Sequence, residues 1–255
     1  VKANLDKISY FDLESRSFEH FPPLDDPFIS AQATAMYTDT AGTVWAATRN
    51  NGVYYLKKNG TGFRKFQVDK GEVFDRNLFR AIAEDHENRL WFAARDDVFC
   101  LQRDSRGVAE VFSLNSHKAF IHRKITNVRA LYFDKHKQSI WIGTQNNGLY
   151  ELNLRDHSDL QEAPVRHYYA NPGKEDALQS NFITTVLRTS QGVLWLGTES
   201  GGFSKMEEVN DTVRFFSYGE ADGLISNVIK AIEEDRKGHL WISTNVGLTQ
   251  FNPET

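Results

Sequence analysis

A single cysteine, Cys100, leaves no disulfide framework to build on. It sits inside the apolar run "VFCL", where a thiol serves as a small buried hydrophobe rather than as a nucleophile. Long apolar stretches are missing too, so no segment reads as a membrane-spanning helix and no direct membrane insertion is expected. The first residues, "VKANLDKISYF", lack the basic-then-apolar pattern of a secretory leader, so any export signal is expected to lie outside these residues. Nor is there an excess of positive charge. Thirty Lys plus Arg are spread among 34 Asp plus Glu, for a net charge of -4, which offers no face to a phosphate backbone and excludes nucleic acid as an expected partner. The eight histidines form neither an H-E-x-x-H motif nor a Cys/His cluster, and "HKAFIH" (His117 to His122) reads as a solvent-facing loop rather than a ligand pair. No G-x-S-x-G and no phosphate-cradling glycine loop occur. No metal, cofactor or catalytic residue is therefore expected.

What the chain does contain is one hairpin written five times: "VWAATRNNGVYYL", "LWFAARDDVFCL", "IWIGTQNNGLYEL", "LWLGTESGGFSKM" and "LWISTNVGLTQF". Their tryptophans, Trp45, Trp91, Trp141, Trp195 and Trp241, are spaced by 46, 50, 54 and 46 residues, the period of propeller blades. Each unit opens with an alternating strand ("NLFRAIAED", "NVRALYFD", "NVIKAIEED") and a polar turn. The tryptophan strand follows, apolar on both faces, and then a tight turn with Asn-Gly or Gly-Gly. A third strand and a fourth built on spaced aromatics complete an antiparallel blade. A sheet with two apolar faces must stack on its like, so the five tryptophans are expected to pack between blades and their indole N–H groups to need acceptors. Asn77, Asn127, Asn181 and Asn227 each stand fourteen residues before their tryptophan, where the first unit has Ala31, and are expected to brace a loop through backbone hydrogen bonds.

The fold expected is all-β, a β-propeller of four-stranded antiparallel blades: five tryptophan-bearing units plus a partial N-terminal half-blade. Residues 1–22 read as the third and fourth strands of that partial blade and 23–255 as five repeats of one propeller domain. The last unit stops near its third strand at "FNPET". The simplest reading is a piece of a six- or seven-bladed ring, with a closed ring of unusual seam as the alternative. An open ring would leave unpaired backbone at its edge and is expected to self-associate, which makes a homodimer one of the expected states.

The stretches "SNVIKAIEEDRKGHLWISTNVGL" from Ser226 and "SNFITTVLRTSQGVLWLGTESGG" from Ser180 resemble the two-component regulator propeller repeats. The second unit departs from them with "FAARDDV", and the third shifts its acidic residue to Asp134. The resemblance implies the extracytoplasmic, periplasmic sensor of a hybrid histidine kinase. An oligosaccharide would be its signal, and adjoining propeller, immunoglobulin-like and kinase domains of the same protein its partners. It also implies a non-catalytic, ligand-binding role for this segment.

Positions that vary among otherwise matching repeats are free to serve something other than the fold. After the tryptophan strand the five units place Arg49, Arg95, Gln145, Glu199 and Asn245, followed in three of them by Asn50, Asp96 and Asn146. That turn shares a face with the long connections "FPPLDDPFIS", "VDKGEVFDRN", "LNSHKAFIHRKIT", "YANPGKEDALQS" and "SYGEADGLIS", which suit a carbohydrate mouth. Arg49, Arg76, Arg95 and Arg123 together would suit an acidic sugar. Two other classes stay open: a protein-interaction scaffold, and a propeller lyase or hydrolase. "TDTAGTVW" is similar to the Asp-box of sialidase propellers but its spacing is one residue too long, and a glycosidase would still need two facing carboxylates.

Overall fold

The computed structural model describes residues 8–12, 15–21, 33–68, 78–103, 109–210 and 212–254. It is all-β, of the β-propeller class, and divides into two compact units, Val1–Phe112 and Ser113–Thr255. In the first unit β1 (Ile8–Asp12) and β2 (Ser17–Phe21) form a hairpin. Two four-stranded blades follow. One runs through β3 (Ala33–Thr38), β4 (Val44–Thr48), β5 (Val53–Leu56) and β6 (Arg64–Lys65), the other through β7 (Phe79–Glu84), β8 (Leu90–Ala94), β9 (Val98–Arg103) and β10 (Ala109–Ser113). The second unit holds a blade of β11 (Val128–Asp134), β12 (Ser139–Thr144), β13 (Leu149–Asn153) and β14 (Val165–Tyr168). Next come β15 (Ile183–Arg188), β16 (Leu194–Thr198), β17 (Phe203–Val209) and β18 (Thr212–Tyr218). A three-stranded sheet of β19 (Ile229–Glu234), β20 (Leu240–Thr244) and β21 (Leu248–Phe251) ends the chain.

The tryptophan strands β8, β12 and β16 are buried along their whole length, as two-sided burial in a stack demands. Trp45 packs in one cluster with Phe79, Ile82 and Phe92 of the next blade. Trp141 does so with Ile183, Val186 and Leu196, and Trp195 with Ile229, Ile232 and Ile242. At ~25 cal/mol per Å² and roughly 150–250 Å² per ring, each such burial is worth at most about 4–6 kcal/mol. Trp91 is fully buried as well. Trp241 departs from the expectation for all five: it is 38% exposed, with no further sheet of its unit packed over β20 among the described residues.

The residue two places after each tryptophan is small: Ala47, Ala93, Gly143, Gly197 and Ser243. The first strand of the next blade explains why. A Cβ on Gly143 would lie 2.8 Å from Ile183 Cγ2, and one on Gly197 2.6 Å from Ile229 Cγ2. One place further, Thr48, Thr144 and Thr198 are buried; each hydroxyl donates to the carbonyl of Gly52, Gly148 or Gly202 and accepts an amide of the same turn. Gly202 closes its turn at a φ of 69°, with Tyr218 O only 2.0 Å from where a Cβ would stand.

Four of the five indoles donate to an aspartate just before the tryptophan strand. Trp45 reaches Asp39 at 2.8 Å, Trp91 Asp85 at 2.7 Å, Trp141 Asp134 at 3.3 Å and Trp241 Asp235 at 3.0 Å. The other oxygen of these carboxylates accepts backbone amides of the turn, as Asp85 Oδ1 does from Glu87 and Arg89. In the fourth repeat the position is Thr189, and the buried Trp195 Nε1 has no partner. The seams carry a second recurring link. Thr40 offers its amide and hydroxyl to Glu84 of the next blade at 2.9 and 2.8 Å, and Ser190 does the same to Glu234 at 2.6 and 2.7 Å. Between these two seams the chemistry is inverted: Arg188 binds Asp134 through Nε and a terminal nitrogen, both at 2.6 Å.

Candidate functional site

Every blade has a register shift at the second residue of its first strand, which leaves Thr34, Arg80, Arg129, Thr184 and Lys230 as bulged residues. A bulge re-aims a side chain and is a common device near binding sites. These residues stand beside the turns between second and third strands, and that turn face is the candidate site.

In the second unit the turn face is a paired polar surface. Arg129 donates to Gln145 Oε1 and its guanidinium lies over the Phe182 ring at 5.1 Å. Lys230 bridges to the neighbouring blade, with Nζ 3.2 and 3.0 Å from the two oxygens of Glu199. Ser226 Oγ donates to Asn245 Oδ1 at 2.8 Å. The turns are fixed from behind by the recurring asparagines. Asn181 Oδ1 accepts the Ala170 amide and its carbonyl accepts that of Gly148; Asn227 does the same for Glu220 and Gly202. The carbonyl of Asn127 accepts the Gln145 amide. Asn77 and Arg76 lie outside the described residues.

The connection 114–126 holds a second feature of this unit. Tyr150 and His167 stack at 4.0 Å with 6° between planes, and Tyr169 meets His167 edge-on at 5.0 Å. Arg123 donates to Tyr169 Oη at 3.3 Å and lies 5.7 Å from its ring centroid. Tyr169 is 44% exposed, so an aromatic ring with a guanidinium over it is partly open to solvent. The loop is solvated in part, as its polarity implied: His122 and Arg123 are exposed, whereas Leu114, Phe120 and Ile125 are buried. Of the two histidines expected to face solvent, His117 does not. It is 1% exposed, and the burial is tolerated because both ring nitrogens are used: Nε2 donates to Ala163 O at 3.0 Å while Nδ1 accepts the Ala119 amide. Burial holds its pKa below the ordinary imidazole value, and burial does the same for His167.

In the first unit Arg49 and Asn50 are exposed on the turn after β4, and Arg95 pairs with Asp96 at 3.6 Å on the turn after β8. Arg123 belongs to the second unit with Asn146, whose carbonyl is 3.3 Å from Tyr169 Oη. Gln145, Glu199 and Asn245 share the second unit's turn face. The residues missed by sequence are the bulged Arg129 and Lys230, whose signal was a charge interrupting an apolar strand. Cys100 is fully buried, and burial raises its thiol pKa far above the ordinary value. Among the described residues no group of three or more His, Cys, Asp or Glu is placed to hold a metal ion, and no helix is long and apolar enough to cross a membrane.

Residues 177–200 and 223–246 match the family described as two component regulator propeller. No curated protein matches the chain. Among solved structures it is similar to the extracellular domain of BT4673 from B. thetaiotaomicron, described as a hybrid two component system, at 15% identity and a TM-score of 0.54. That match covers 99% of this chain and 39% of that one, so the chain spans well under half of that domain. It is also similar to virginiamycin B lyase from Staphylococcus aureus (11% identity, TM-score 0.66, covering 98% of this chain and 78% of that one). A third likeness is to PorZ from Porphyromonas gingivalis (14%, 0.52, covering 96% and 42%). At these identities the structural likeness is one of fold.

Proposed function

We propose, from the two-component regulator propeller repeats at residues 177–200 and 223–246, that this chain is a ligand-sensing module in the extracytoplasmic, periplasmic part of a hybrid two-component regulator. Its signal is an oligosaccharide, and the response is carried by domains outside this chain. The repeats are the observation that carries the reading. The turn face of the second unit supports it: Arg129, Gln145, Glu199 and Lys230 present hydrogen-bonding groups at repeat-variable positions, and Tyr169 with Arg123 offers a ring on which a sugar can stack.

Isothermal titration with neutral and acidic oligosaccharides tests it. Binding that weakens at least tenfold in Lys230→Ala or Tyr169→Ala, with the ligand recovered intact, is the expected result. A ligand recovered cleaved would replace sensing with lyase or hydrolase chemistry, and affinity indifferent to both substitutions would remove the turn face. The acidic-sugar version adds Arg49, Arg95, Arg76 and Arg123: equal affinity after all four are changed to Ala would remove it.

A further inference from the structure

At the opposite end of the same sheets, where β11 turns into β12, the second unit has a cleft of about 390 Å³ between two blades. That is at the small end of the range for small-molecule sites. Its walls include Lys137, Ser139, Glu151, Asn153, Arg155 and Arg166 from one blade and Glu208 from the next. Glu151 is 4% exposed; its carboxylate accepts from Ser139 Oγ at 3.2 Å and Tyr168 Oη at 3.0 Å, with Lys137 Nζ at 4.0 Å. Glu208 is held by Lys137 and by Arg166 NH1 at 2.6 Å, and the Lys137 hydrogen bond leads in keeping its pKa below the usual carboxylate value.

The fold does not require this charge. The residue facing the tryptophan across the second and third strands is Tyr55, Cys100, Glu151, Lys205 and Gln250 in the five repeats, so a buried carboxylate occurs once. A buried acid is costly unless fully paired, and replacing such a group by an apolar one is often neutral or stabilising. The cleft also has one cation too many. Both glutamates are paired with Lys137 or Arg166, while Arg155 spends a single nitrogen on His136 O at 2.9 Å and has no carboxylate within ion-pair distance among the described residues. Three cations over two anions leave a net positive recess, lined by the exposed guanidinium of Arg155 and by Arg166, whose NH1 keeps Glu208; guanidinium groups are the chemistry that matches a carboxylate.

We propose that this cleft binds a small hydroxylated carboxylate, its acid group held by Arg155 and Arg166 and its hydroxyls by Lys137, Ser139 and Asn153. The site is independent of the turn face and does not rest on the sensing reading. Titration of the intact chain with glucuronate, gluconate, glucose and acetate at constant ionic strength tests it. Glucuronate or gluconate should bind at least tenfold more tightly than glucose and acetate. Arg155→Gln, an exposed change that leaves the fold intact by circular dichroism, should cost at least tenfold, while Arg236→Gln, an exposed arginine that lines neither the cleft nor the turn face, should cost nothing. Preference for glucuronate over gluconate identifies a sugar ring, and the reverse an open-chain acid. Equal affinity for glucose, or an Arg155→Gln variant that binds as well as the parent, overturns the proposal.

Discussion

Thr189 offers a test by gain rather than loss. The indole of Trp195 is 2% exposed and its N–H has no acceptor, while four sister repeats supply an aspartate there. An unsatisfied buried donor costs about 1–3 kcal/mol, so Thr189→Asp should recover much of that by giving Trp195 a charged acceptor. The objection is repulsion from Glu234, which binds the next residue, Ser190. The first seam answers it: Asp39 accepts its indole there although Glu84 binds the adjacent Thr40 in the same way. A net gain of about 1–2 kcal/mol is therefore expected, seen as a rise of several degrees in thermal midpoint at neutral pH. The gain should fade as pH falls through the new carboxylate's depressed pKa, because the stabilised form is the ionised one. A double-mutant cycle with Trp195→Phe isolates the contact. If Thr189→Asp gains nothing, or gains as much beside phenylalanine as beside tryptophan, the acceptor argument is wrong.

Asp85→Ala should cost about 2–4 kcal/mol in chemical denaturation, since it strands the buried Trp91 N–H and removes the carboxylate 2.7 Å from Arg89 Nε, leaving that guanidinium only Glu87 at 3.0 Å. Gly197→Ala should cost roughly 1–3 kcal/mol, because the added methyl lands against Ile229 and Thr185; Gly192→Ala, with open space around it, loses only what its φ of 80° demands. His117 and His167 both have pKa values lowered by burial, which Lys118 and Arg123 respectively reinforce, while Asp159 and Glu162 act against it at His117. Their contribution to stability should be complete above about pH 6.5 and fall as pH drops from there through the folded-state values, so midpoints that rise on acidification over that range would contradict the assignment. Cys100 should react with a thiol reagent only after unfolding, and rapid labelling of the native chain would contradict its burial.

The blades were legible because their determinants are local: a tryptophan on a regular period, a turn glycine, and alternation on the first strand. The asparagine brace could also be read, since its partners repeat with it. What escaped depends on where one repeat meets the next. Thr40 and Glu84, or Ser190 and Glu234, are ordinary polar residues 44 positions apart, and only the seam makes them partners. The bulge escaped because a one-residue slip in register does not alter composition; it only re-aims Arg129 and Lys230. His117 was misread because a polar loop over an apolar sheet looks the same in sequence whether it faces water or caps the core. The cleft needed Glu208, a residue of the next blade, to close its wall.

The alternating chemistry of the seams bears on how such a gene can change. Tandem repeats in DNA invite slippage that drops or doubles a unit, and interchangeable blades would absorb such accidents unnoticed. Here loss of the fourth repeat would take Arg188 away from Asp134, and doubling it would set Arg188 of the second copy against Ser190 of the first, a cation with no carboxylate to meet. The third and fourth blades thus specify each other, and that part of the order of the modules is written into their edges.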